Sequence, residues 1–167
     1  MSYFTFYPLT KSAQAKMAGG LPIFVPLRSI EVESEEKRTA NNVFQLDFEE
    51  LESAITDKTR VLILNTPHNP TGKIFSREEM MKLADIIQRY PQVTVISDEV
   101  YEHIIFDQEK SPHISFATIP GMWERTLTLS SSGKTFSATG WKVGWAIGPP
   151  HLTHAVTSVQ QWVNFSG

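Results

Sequence analysis

The feature that most constrains this chain is a series of short apolar runs that stay apolar where a half-exposed strand would alternate. Ile23-Phe24-Val25-Pro26-Leu27, Val61-Leu62-Ile63-Leu64, Val93-Thr94-Val95-Ile96 and Thr126-Leu127-Thr128-Leu129 are nearly continuous and rich in branched residues. Strands buried on both faces read this way, and they belong to parallel sheets covered by helices. A fifth run, Val143-Gly144-Trp145-Ala146-Ile147, stops at Gly148-Pro149-Pro150 and is expected in the same sheet. Helix starts lie between the runs. Asp47 with Glu50, and Ser76 with Glu79, have capping-box spacing, in which two side chains satisfy the free amides of a helix start reciprocally. Met80, Leu83, Ile87 and Tyr90 then recur at helical spacing and predict an apolar stripe lying on a sheet face. Leu152, Ala155, Val156, Val159 and Val163 predict a further helix from His151 toward Phe165. Segment 31–45, with Glu35-Glu36-Lys37-Arg38 and Asn41-Asn42, reads as a solvated surface excursion.

Strand alternating with helix implies right-handed crossovers and an α/β fold with a mostly parallel sheet flanked by helices, whose ligands gather at the carboxyl ends of the strands. A length of 167 residues suits one domain or part of one. With 41% hydrophobic and 20% charged residues, the chain has the balance of a folding globular sequence rather than a disordered one. Its net charge of -3 comes from scattered acids and bases, without the basic stripe that neutralises a phosphate backbone, so nucleic acid is not an expected partner. The absence of cysteine removes disulfides and thiolate metal sites and fits a reducing compartment. No apolar run approaches the roughly 20 residues that cross a bilayer. The N-terminus lacks the basic and then apolar order of a signal peptide. A cytoplasmic protein without a membrane partner or a metal is the expectation.

Three polar clusters follow the apolar runs. In Asn65-Thr66-Pro67-His68-Asn69-Pro70-Thr71-Gly72 two prolines stiffen the backbone and can aim a side chain. By its turn chemistry alone, the same stretch also reads as a plain link from strand to helix. Ser97-Asp98-Glu99-Val100-Tyr101 places two acids after a very apolar strand, where an ionised group needs a cation or several hydrogen bonds. A protonated pyridine nitrogen is one suitable partner for Asp98; a helix cap or a salt bridge are the others. In Ser130-Ser131-Ser132-Gly133-Lys134, with Lys142 further on, hydroxyls, a glycine backbone and a cation form a set able to accept a phosphate. A lysine partly desolvated near a second cation loses basicity, which favours the neutral amine that forms a Schiff base. This assigns Lys134 to a covalent bond and Lys142 to a phosphate, against the ordinary state of a surface lysine, which is solvated.

Asn69-Pro70-Thr71-Gly72, Asp98-Glu99-Val100-Tyr101 and the stretch from Ser130 to Gly148 resemble, in that order, the core motifs of class I/II aminotransferases that use pyridoxal 5′-phosphate (PLP). Pro120-Gly121-Met122-Trp123-Glu124-Arg125-Thr126 and Gly133 to Trp145 are similar to the kynurenine aminotransferase (glutamine transaminase K) branch, as are Met17-Ala18-Gly19-Gly20 and the strand after them. The resemblance implies the fold type I large domain of PLP-dependent transferases, of which residues 1–167 are the central part. It also implies that the phosphate-binding N-terminal segment, the ring-stacking aromatic and the C-terminal small domain with its substrate arginine lie outside this sequence. Lys134 would hold the cofactor and move the substrate proton, Asp98 would keep the ring nitrogen protonated, Asn69 and Tyr101 would hydrogen-bond the ring oxygen, and Ser131 and Lys142 would hold the phosphate.

The implied reaction moves an amino group from kynurenine, glutamine or an aromatic amino acid to a 2-oxo acid, in a homodimer, with a mitochondrial home as the alternative to the cytoplasm. β-Elimination from cysteine S-conjugates uses the same cofactor and is a second reading. A non-catalytic remnant or dimerisation piece is a third. A nucleotide-binding domain is disfavoured, because a phosphate loop ending at Gly133-Lys134-Thr135 would need an upstream glycine where Thr128 stands.

Overall fold

The computed structural model describes residues 2–5, 9–34 and 39–164. In chain order its elements are β1 (Ser2–Thr5), α1 (Leu9–Met17), β2 (Leu21–Phe24), β3 (Leu27–Ser29), α2 (Ala40–Val43), β4 (Phe44–Leu46), α3 (Phe48–Ala54), β5 (Thr59–Asn65), α4 (Arg77–Gln88), β6 (Thr94–Asp98), β7 (Thr126–Ser131), α5 (Ser132–Thr135), β8 (Gly144–Ile147) and α6 (Pro150–Asn164). Six strands form one sheet in the order β2-β1-β5-β6-β7-β8, while β3 and β4 pair separately as an antiparallel ribbon. Every neighbour in the large sheet is parallel except β8, which runs antiparallel to β7. The α/β architecture with a mostly parallel sheet is therefore the expected one. β8 reverses because its connection from β7 spends its residues at one end of the sheet: Ser132 donates its amide to Val143 O, and Ser131 stands opposite Gly144.

The strand assignments depart from the sequence reading in two places. The run Ile23–Leu27 is not one strand. It breaks at Val25-Pro26, where proline has no amide for a ladder and Val25 turns into the core, so that Leu27 begins β3 of the second ribbon. β1 and α1 precede the first apolar run and were not foreseen, although β1 lies inside the sheet between β2 and β5.

The capping reading holds at α4, where Ser76 Oγ accepts from Glu79 N at 3.2 Å and Glu79 Oε2 accepts from Ser76 N at 2.9 Å. At α3 only half of the box forms. Asp47 Oδ1 accepts from the amides of Glu49 and Glu50, but the Glu50 carboxylate turns to Arg28, 2.6 Å away, and raises the guanidinium pKa. Segment 31–45 is also less solvated than expected. Asn41 Oδ1 accepts from Ile74 N at 2.6 Å and its Nδ2 donates to Ser111 Oγ, so Asn41 joins two distant stretches of chain. The charge run 35–38 lies outside the described residues.

The α4 stripe packs as predicted: Met80, Leu83 and Ile87 are fully buried, and Tyr90 is half-buried just beyond the helix. They join Leu51 of α3, Leu62 and Leu64 of β5, Val95 of β6, and Phe116 and Met122 from the later chain in one core. Each such side chain contributes roughly 1.5–3 kcal/mol of transfer free energy. α6 forms where its periodicity placed it, with residue 165 outside the described residues, yet none of its residues is buried. Val156, Val159, Trp162 and Val163 face outward.

Candidate functional site

β5, β6 and β7 end at Asn65, Asp98 and Ser131, so the three polar clusters gather at one edge of the sheet. Asn65 stands opposite Asp98 in the ladder. Its buried Nδ2 donates to Asp98 O at 3.0 Å, and its Oδ1 accepts from Asn69 N at 2.9 Å. This one amide side chain ties two strand ends to the loop that follows. The loop is closed by His68 N donating to Lys73 O and Gly72 N donating to His68 O. Gly72 has φ +74°, in the left-handed region open to glycine. Lys73 anchors it from below: its fully buried ammonium meets Glu79 at 2.8 Å and Asn41 O at 3.2 Å. So held, Asn69 Nδ2 donates to Tyr101 Oη at 2.9 Å, and Lys134 Nζ lies 5.6 Å from the centre of the Tyr101 ring. The structure thus brings Asn69, Tyr101 and Lys134 together.

Asp98 is placed differently. Its Oδ2 is ion-paired with Lys11 Nζ, while its Oδ1 is buried and has no hydrogen-bond partner among the described residues. The carboxylate lines a cleft of about 660 Å³ with Lys11, Leu129, Ser130, Trp145 and Gln160. Asn69 and Tyr101 line a separate hollow of about 460 Å³ with Ile104 and Ile105. A buried acceptor with an open lone pair suits a cationic N–H donor, because such a group is costly to leave unpaired.

Ser131 caps α5, its Oγ accepting from Gly133 N at 3.1 Å. A Cβ at Gly133 would meet Thr139 Cα at 3.0 Å, so the loop after α5 folds tightly against this glycine, aided by Thr139 Oγ1 donating to Gly133 O. Further along that loop Ser137 (φ 54°) and Lys142 (φ 57°) adopt left-handed backbone, which costs a non-glycine residue roughly 1–2 kcal/mol. Such strain is often kept at functional positions. Lys134 and Lys142 are exposed. The partial desolvation expected around Lys134 is therefore not found among the described residues.

Two groups escaped the sequence reading. Lys11 had no signal, since a lysine in an unforeseen helix is an ordinary surface residue until α1 is placed beside β6. Glu99 stood in a quoted motif without a role. Its carboxylate is almost fully buried: Oε1 accepts from Ser97 Oγ at 2.7 Å, Ser115 Oγ at 3.1 Å and Phe116 N at 3.1 Å, and His113 Nε2 lies 2.8 Å from Oε2. Glu99, Glu102 and His113 form a close trio, but these donors, and Ser130 Oγ donating to Glu102, already occupy its carboxylates.

Comparison with known proteins matches residues 13–167 to the family model of class I and II aminotransferases. The chain is 51% identical over 154 residues to kynurenine–oxoglutarate transaminase of Dictyostelium discoideum, covering 90% of this chain and 35% of the relative. It is 51% identical to human kynurenine–oxoglutarate transaminase 3, covering 87% and 31%. Its fold superposes on N-succinyldiaminopimelate aminotransferase of Mycobacterium tuberculosis with a TM-score of 0.84 at 38% identity, over 99% of this chain and 40% of the other. The chain therefore spans about a third of the length of the curated relatives it matches.

Proposed function

The chain belongs to the class I and II aminotransferases, which use pyridoxal 5′-phosphate, and on that premise we propose that it forms the cofactor cradle of an enzyme moving an amino group from an amino acid to a 2-oxo acid. Kynurenine, glutamine or an aromatic amino acid is the donor, the first of these in keeping with the names of its half-identical relatives. The observation that carries this reading lies at the strand ends: Asn69 bonds Tyr101, Lys134 Nζ lies over the Tyr101 ring, and the buried Oδ1 of Asp98 has no hydrogen-bond partner among the described residues. Residues 1–167 are the central part of the large domain of a homodimer, and the outward apolar face of α6 is in keeping with further protein covering it. Among the described residues no helix is long and apolar enough to cross a membrane; the absence of cysteine supports a cytoplasmic setting.

When bound, pyridoxal 5′-phosphate supplies an aldehyde that condenses with amines and a protonated ring that draws electrons from the substrate α-carbon. Lys134 would hold it covalently, and its amine would move the proton at the substrate α-carbon. The Asp98 carboxylate holds the proton on the ring nitrogen. Asn69 Nδ2 and Tyr101 Oη donate to the ring oxygen, which is why their own hydrogen bond, at the edge of the 460 Å³ hollow, matters. Ser131, whose capping bond leaves its O–H free to donate, and Lys142 hold the phosphate.

The test is spectroscopic, followed by product analysis. Adding pyridoxal 5′-phosphate to the purified chain produces a visible absorption band that borohydride bleaches; absence of the band, or its retention in Lys134→Ala, contradicts the reading. In turnover, a strict need for a 2-oxo acid identifies transfer, whereas pyruvate and ammonia formed without an acceptor identify elimination.

A further inference from the structure

Lys11 has no part in the roles above, yet its ammonium holds the carboxylate on which they depend. It is carried by α1, which follows β1. β1 lies between β2 and β5, where strand order turns back on itself, so α1 starts beside the crevice at the strand ends and Lys11 reaches Asp98 from there. The two side chains are only 19% and 16% exposed, and charges so placed are screened less than surface pairs. We propose that Lys11 is a built-in rival of the cofactor's ring nitrogen for the Asp98 carboxylate. The inference rests on the reading of the strand ends as a pyridoxal phosphate cradle.

The carboxylate carries one negative charge, and Lys11 already neutralises it through Oδ2. The unpartnered Oδ1 leaves the same carboxylate an acceptor for a protonated ring nitrogen. Two cations on one carboxylate repel each other across the width of that group, so each weakens the other's hold. Lys11 therefore stabilises Asp98 in the cofactor-free chain and lowers the ring's affinity for its proton in the loaded one. Nearby residues do not relieve the competition. Ser130, on the cleft wall, gives its hydroxyl hydrogen to Glu102, and Gln14, Thr153, Thr157 and Gln160, which also line the cleft, are neutral.

A residue that merely props up the site and a residue that competes for it predict opposite effects. The experiment compares wild type, Lys11→Met and Lys11→Arg for binding of pyridoxal phosphate and of its deaza analogue, which has carbon in place of the ring nitrogen but the same aldehyde and phosphate. Thermal melting of the cofactor-free chains is measured in parallel. The expected result is a lower melting temperature for K11M, together with affinity for pyridoxal phosphate, relative to the deaza analogue, that rises about tenfold, the size expected from removing a partly desolvated cation beside the carboxylate. K11R keeps the wild-type ratio. An unchanged or lowered ratio in K11M, with wild type binding the cofactor on Lys134, overturns the rivalry alone. If none of the three chains binds on Lys134, the cradle reading falls and the rivalry with it. Should K11M fail to fold, Lys11→Gln is read by the same ratio.

Discussion

Replacing Glu99 separates the work of a buried acceptor from the work of a buried charge. Three donors converge on its Oε1: the hydroxyls of Ser97 and Ser115 and the amide of Phe116. Ser97 and Phe116 are fully buried, so in Glu99→Ala neither donor gains water in exchange. A buried amide left without an acceptor costs roughly 1–3 kcal/mol, and a buried hydroxyl roughly 1 kcal/mol. Relief of the desolvation of a buried carboxylate offsets part of this loss, leaving about 3 kcal/mol of net destabilisation. Glu99→Gln behaves differently. Its carbonyl keeps the position of Oε1 and all three donors, only the contact at His113 changes, and the cost falls to about 1 kcal/mol. Urea unfolding followed by tryptophan fluorescence measures both variants, and hydrogen exchange at the Phe116 amide reports the local effect: protection falls in the alanine variant and persists in the glutamine one. Equal destabilisation by the two substitutions, or a loss below about 0.5 kcal/mol for alanine, would refute the accounting.

Ser76→Ala is expected to cost about 1 kcal/mol of stability through the lost N-cap of α4. The Ser76 hydroxyl also donates to Glu78 and holds that carboxyl below the ordinary range. Because the folded pKa is depressed, this contribution is present above the ordinary carboxylate pKa and lost as pH falls through the lowered value. The gap between wild type and Ser76→Ala in urea melts therefore narrows in acid. Asp98→Asn keeps the Lys134 amine and so keeps covalent labelling, but removes the charged acceptor for the ring nitrogen. Affinity for pyridoxal phosphate is expected to fall about tenfold in a spectrophotometric titration, and unchanged affinity would remove Asp98 from the site.

The sequence carried the sheet and the strand-end clusters because each rests on local chemistry: continuous branched runs, a serine-to-glutamate cap, prolines flanking Asn69. What it hid was set by neighbours distant in the chain. β1 is short and gains its place from pairing with β2 and β5. Glu50 satisfies the capping pattern but meets Arg28, 22 residues away, before it can close the box. Asn41 sat in a polar stretch that reads as solvated, and its amide is engaged by Ile74 and Ser111, 33 and 70 residues away. Of the alternatives left open for Asp98, the salt bridge is the one present, with Lys11, and Oδ1 is without a hydrogen-bond partner among the described residues. The partial desolvation expected around Lys134 is also not found, since its side chain is exposed among the described residues.

The central claim, that Lys134 is the covalent anchor, is tested most directly by locating the label. After borohydride reduction of the chain equilibrated with pyridoxal phosphate, mass spectrometry of the digested protein is expected to find one pyridoxyl group, on the peptide containing Lys134, with Lys11, Lys73 and Lys142 unmodified. Label spread over several lysines in proportion to their exposure, or concentrated on any lysine other than Lys134, would contradict the account.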